Sequence, residues 1–196
     1  MSSDSSPVPS AAAPGLTDEQ MVAALAGHLS GHRVVGTRGI GTASAAGGAA
    51  RPLAELSIDD GKQHFVVTVD LRREPAVSEK ELARAAVLCD QEGRKSVICT
   101  RVPRDGDALL TLRRPLVPVP GLSWSYALAT PSGDRVTVTE WSSAAPVGAA
   151  GALPDPPLDL GRLREIVLDP VWIRALTGLP VAAPPEVQQP AAPLGG

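Results

Sequence analysis

Cys89 and Cys99 are the only cysteines in the chain, and nine residues stand between them. A bond joining them closes a loop of about 11 residues, which chain entropy alone makes worth roughly 2–3 kcal/mol. The enclosed stretch carries Gln91, Glu92, Gly93, Arg94 and Lys95, a polar turn with little apolar material of its own. Two buried thiols in a reducing compartment are the competing reading. The spacing departs from the Cys-x-x-Cys arrangement of redox-active pairs.

Other residues with chemical potential are fewer. Trp124 and Tyr126 lie two apart on one predicted strand, and Trp141 lies on the next, so pairing across the turn at Pro131-Ser132-Gly133-Asp134 brings Trp141 near Trp124. Core packing is one role for the three; a candidate aromatic surface for a ligand or glycan is the other. His28 and His32 have the i, i+4 spacing of a zinc pair, but Gly31 interrupts the helix between them, and His64 is the only further histidine. Exposed imidazoles at a helix end account for the pair. The stretch Gly36-Thr37-Arg38-Gly39-Ile40-Gly41-Thr42 lacks both the dinucleotide fingerprint and the lysine of a phosphate loop. Asp59-Asp60-Gly61 lacks the remaining ligands of a calcium loop and reads as a hairpin turn. Ser123, Ser125, Ser142 and Ser143 sit on or beside strands, none in a Gly-x-Ser-x-Gly turn. No catalytic, cofactor-binding or metal-binding set is assigned.

The bulk numbers exclude several classes. The net charge of −3 comes from mixed signs with no basic run, which argues against nucleic-acid binding. No stretch of about 18 apolar residues is present to span a membrane. Residues 1–15 have neither the basic nor the apolar region of a signal peptide, which taken literally argues for the cytoplasm; an anchor or export signal encoded upstream is the alternative. The partner class is unknown.

The elements that position these residues follow from pattern. Hydrophobic residues make up 43% of the 196, with aromatics only 3%, so aliphatic side chains must fill the core. Residues 1–15 and 181–196 are rich in Pro and Ala and read as disordered tails around a single domain at 16–180. Thr17-Asp18-Glu19-Gln20 forms a capping box ahead of Met21, Val22, Leu25 and Leu29, which predicts a helix over 18–30. Residues 36–50, dense in glycine, read as a loop. Leu56 and Ile58, then Phe65, Val67, Val69 and Leu71, alternate with polar residues as a hairpin. Ser78-Glu79-Lys80-Glu81 caps a short helix reaching Cys89, and strands follow at about 95–102, 107–113, 122–130 and 134–142. After a linker at 143–157, two short helices carry Leu163, Ile166 and Val167, then Asp169-Pro170 as cap and first position, then Trp172 and Leu176. The fold expected is α+β: a mainly antiparallel sheet of five or six strands, with the N-terminal helix and the two short C-terminal helices on one face.

Pro156-Pro157-Leu158, Leu163-Arg164-Glu165-Ile166-Val167, Asp169-Pro170-Val171-Trp172 and Leu179-Pro180, with Glu140-Trp141 and Leu16-Thr17-Asp18-Glu19-Gln20 ahead of them, are what carries a resemblance. Together they resemble an uncharacterised actinobacterial secreted or membrane-anchored domain, with a pattern close to Leu-Arg-x-x-Val-x-x-Pro-x-Trp followed by Leu-x-x-Leu-Pro. The resemblance covers most of 16–180. It implies an extracytoplasmic domain with an upstream signal or anchor and a disulfide in mid-domain, where Cys89 and Cys99 fall. It brings no activity. The expected function is a non-enzymatic extracytoplasmic domain for surface sensing or binding. A cytoplasmic accessory or adaptor protein is the first alternative, and a hydrolase joining a serine to His64 is the second.

Overall fold

The computed structural model describes residues 15–45, 51–61, 63–92, 97–102, 108–113, 122–142 and 156–182. Most of both expected tails and of the 143–157 linker lies outside those residues. The element order is α1 (Asp18–His28), β1 (Val34–Ile40), α2 (Thr42–Ala45), β2 (Leu53–Asp59), β3 (His64–Arg73), α3 (Glu79–Glu92), β4 (Val97–Val102), β5 (Ala108–Arg113), β6 (Leu122–Ala129), β7 (Asp134–Ser142), α4 (Leu160–Val167) and α5 (Pro170–Leu176). The strands form one antiparallel sheet in the order β1-β2-β3-β7-β6-β5-β4.

The sheet has seven strands, where the pattern gave five or six. The extra one is β1, inside the stretch that reads as a glycine loop. Its glycines serve close approach. A Cβ at Gly39 would collide with the carbonyl of Asp18, and one at Gly41 with that of Leu16. The start of α1 therefore lies directly on the end of β1. Asp18 secures the contact: its Oδ1 accepts from the Gly41 N–H at 2.7 Å and from Ser44 Oγ at 2.9 Å, and these bonds hold its carboxyl below the usual range.

Strand alternation sends every second residue to each face. On one face, Leu56, Ile58, Phe65, Val67, Val69, Leu71, Leu122, Trp124, Leu128, Val136 and Val138 join a single buried cluster. Helices α1, α4 and α5 close over it, as expected, with Met21, Leu25, Leu163, Ile166, Trp172 and Leu176 inward. The caps form as the sequence specifies. The Thr17 side chain accepts from the Gln20 N–H and the Gln20 side chain from the Thr17 N–H, while the Asp169 carboxylate caps α5 ahead of Pro170. Trp172 is fully buried, and its Nε1–H donates to the Ile166 carbonyl at 2.8 Å, tying α5 to the end of α4. The described chain stays attached past Leu179: the Ala182 N–H donates to the Arg73 carbonyl at 2.6 Å, beyond the boundary expected at 180.

Helix α3 is the exception, since it packs on β4 and β5 from the opposite side of the sheet. The parity of its attachment shows this. Cys99 pairs with Thr111, and Thr111 with Ala127, all on the face that the core cluster does not use.

Trp172→Ala removes the largest buried side chain and its hydrogen bond. The expected loss is about 3–5 kcal/mol of unfolding free energy, measured as a lower urea midpoint at unchanged slope.

Candidate functional site on the second face of the sheet

The side of the sheet away from the core carries its side chains in rows set by register. Ser57, Val66, Trp141 and Ser123 form one row across β2, β3, β7 and β6. Glu55, Thr68, Thr139 and Ser125 form the next. Leu53, Asp70, Thr137, Ala127, Thr111 and Cys99 form a third that runs on to β4. In the first two rows every residue is partly or fully exposed. The result is a shelf of hydroxyl groups with carboxylates toward one side and an indole on the central strand. An antiparallel sheet readily leaves such a polar face to solvent; the feature that stands out is Trp141, 44% exposed near the end of the central strand β7.

The three aromatics do not form one surface. Trp124 is 4% exposed and belongs to the core cluster, with Tyr126 packed against it. These two share a face, as their spacing requires. Trp141 faces the other way, because the register sets Trp124 opposite Glu140 and Trp141 opposite Ser123. The pairing expected between Trp124 and Trp141 is off by one residue, and in a strand one residue reverses the face. The turn itself is as expected, with Gly133 at φ +86° and the Thr130 hydroxyl accepting from the Asp134 N–H at 3.1 Å; around it residue 124 falls opposite residue 140.

Cys89 on α3 and Cys99 on β4 stand at disulfide-bonding distance, with their Cα atoms 6.2 Å apart. The bond ties α3 across the β4–β5 end of this same face. The helix does not seal against the strands. A groove of about 210 Å³ remains between them, floored by Leu109, Ala127 and Ala129, roofed by Leu82 and Ala85, with Glu74 and Arg135 at one end. Bonded cysteines persist in oxidising compartments, and the pair points in that direction.

The histidines are occupied elsewhere. His28 Nε2 lies 2.7 Å from Asp169 Oδ2, joining the end of α1 to the cap of α5. His32 stands edge-on to Phe65 at 6.0 Å between ring centres. No group of three metal-ligating side chains stands together among the described residues. His64 opens β3 while Ser123 and Ser125 lie on β6, with β7 between those strands, so roughly 9–10 Å separates the strand axes. Ser142 points into the core. The hydrolase alternative therefore lacks a serine beside His64 among these three; Ser143 lies outside the described residues.

No family model matches the chain, and searches of curated proteins and of solved structures find no match. No helix among the described residues is long and apolar enough to cross a membrane.

One residue with unusual chemistry is absent from the sequence-level candidates. Glu140 is fully buried on the core face, between Val67 on β3 and Trp124 on β6. Its Oε2 accepts from the Leu158 N–H at 3.0 Å, and its Oε1 has no partner among the described residues. Burial pushes its carboxyl up to about 8, against the opposing pull of the Leu158 N–H. The signal was available: alternation through Val136 and Val138 places residue 140 inward. With no solvent access, Glu140 serves as an anchor for the segment entering α4.

The pH consequence follows by linkage. The folded chain holds this proton more tightly than the unfolded one, so the associated stability is complete below about pH 4.5 and is lost as pH rises through about 8. Glu140→Gln should match the native protein within about 1 kcal/mol at pH 5. Above pH 8 it should be more stable by roughly 3–5 kcal/mol, read from denaturant midpoints at each pH.

Proposed function

We propose that the protein is a non-enzymatic extracytoplasmic domain that binds a carbohydrate chain on the second face of its sheet. The observation that carries this reading is Trp141, exposed on the central strand at one end of a hydroxyl-lined shelf while the other two tryptophans are buried. An indole presents a flat apolar surface to the C–H face of a sugar ring. The Thr68, Thr139 and Ser125 hydroxyls around it can donate and accept, and Glu55 and Asp70 accept, which matches the mixed hydrogen-bonding needs of sugar hydroxyls. The shelf is open, suited to an extended polymer more than to an enclosed small molecule.

The placement outside the cytoplasm rests on the Cys89–Cys99 pair and on the resemblance to secreted or anchored actinobacterial domains.

Titration with laminarin, soluble xylan and N-acetylglucosamine oligomers, followed by tryptophan fluorescence, tests the reading. At least one glycan should give a saturable change. Trp141→Ala should remove that change and weaken binding at least about tenfold by calorimetry, with the melting temperature unchanged, since truncating an exposed anchor costs affinity more than stability. Saturable binding that survives Trp141→Ala, or no response to any of the three glycans, contradicts it.

A further inference from the structure

The charges of the second face are also placed by register. Arg38 on β1 stands opposite Glu55 on β2, a pairing of unlike charge. One row beyond Asp70 and Thr137 the pattern breaks. There Arg72 on β3 stands directly opposite Arg135 on β7, and Ala129 and Leu109 continue the row across β6 and β5. Like charges facing each other across a ladder repel.

Neither guanidinium is fully engaged. Arg72 donates to Asp70 Oδ1 at 2.9 Å through Nε alone of its three nitrogens, and its side chain is 42% exposed. Arg135 Nη1 lies 3.5 Å from both oxygens of Glu74, at the outer limit of a hydrogen bond, and its side chain is 39% exposed. Each arginine thus has one carboxylate beside it, while the repulsion between the two remains.

Arg135 and Trp141 lie six residues apart on β7 and project to the same face. At the rise of an antiparallel strand they are about 20 Å apart, a span of several sugar rings. Between them come Thr137 and Thr139, flanked by Thr68 and Asp70 on β3 and by Ser125 and Ala127 on β6. Helix α3 walls this track on one side. It is capped by Ser78, whose hydroxyl accepts from the Glu81 N–H, and it packs on β4 and β5. The track therefore has an indole near one end, hydroxyls along its length and the arginine pair at the other end.

We propose that the glycan bound on this face carries uronate groups at intervals along a neutral backbone, an inference that rests on the glycan reading above. The polymer runs along β7, with one ring on Trp141 and one carboxylate held between Arg72 and Arg135. A planar carboxylate matches the fork of a guanidinium, and its negative charge offsets the repulsion between the two arginines. Glu55 and Asp70, beside the middle rows, accept from neutral sugar hydroxyls and repel further carboxylates there. That selects sparse charge over a polymer charged on every ring.

Calorimetric titration of the full chain with glucuronoxylan, and with the same polymer after its carboxyls are reduced to alcohols, tests the proposal. The native protein should bind the acidic form about tenfold more tightly, the scale of one charge-assisted contact. Arg72→Gln with Arg135→Gln should bind both forms equally, at the affinity the native protein shows for the reduced form. Its melting temperature should hold, because both side chains are partly exposed. Trp141→Ala should weaken both forms alike and keep the preference. Equal affinity of the native protein for the two forms overturns the acidic assignment and leaves Trp141-dependent glycan binding standing. A preference that survives in the double arginine variant overturns the site, and binding of neither form overturns the inference while laminarin and the N-acetylglucosamine oligomers still decide the glycan reading.

Discussion

Successive side chains of a strand point to opposite faces, and the chain has large apolar residues enough to seal only one face of a seven-stranded sheet. On the sealed side, aliphatic residues from β2, β3, β6 and β7 meet three helices. On the other, the same strands contribute Thr, Ser, Glu and Asp, with Trp141 among them. With aromatics so scarce, an indole placed in water is a conspicuous use of one. The single helix on that side packs on β4 and β5 with Leu82 buried beneath it and is joined to β4 through the Cys89–Cys99 pair.

The sealed face carries one polar exception. Glu140 holds the Leu158 N–H just ahead of α4 and leaves its second oxygen unpartnered among the described residues. A buried polar group without a partner is costly, and an ionised one more so, hence the carboxyl keeps its proton near neutrality. Around it, the core-facing side chains of β3 are Phe65, Val67, Val69 and Leu71, and those of α4 are Leu163, Ile166 and Val167; none carries a charge. On β6 no side chain but the Tyr126 phenol is ionisable, and it carries no positive charge. The charged residues of the C-terminal helices, Arg162, Arg164, Glu165 and Arg174, are exposed. No opposite charge is therefore at hand to stabilise the carboxylate.

Local signals in the sequence transferred well to the structure. The capping boxes at Thr17 and Ser78, the Asp169-Pro170 start of α5 and the alternation through Phe65–Leu71 depend on residues within a turn or two of one another. Features decided at long range did not transfer. β1 reads as a loop because glycine weakens a strand in isolation, and the contact that makes Gly39 and Gly41 necessary comes from α1, over twenty residues away. The outward face of Trp141 was in fact local: alternation through Val136 and Val138 sends residue 141 away from the core. The inward position of Glu140 was legible from the same alternation, but a lone glutamate in a strand gives no sign of its partner at Leu158. The site on the second face was legible only as three aromatic residues, of which the structure leaves one in the open.

The account stands on an open second face with Trp141 exposed on its central strand. Brief hydroxyl-radical exposure of the native protein, followed by peptide mass spectrometry, measures this directly, because the three tryptophans fall in different environments. Trp141 should oxidise readily while Trp124 and Trp172 stay protected until the protein is denatured. Protection of Trp141 equal to that of the two buried rings would show the face covered in solution and contradict the account.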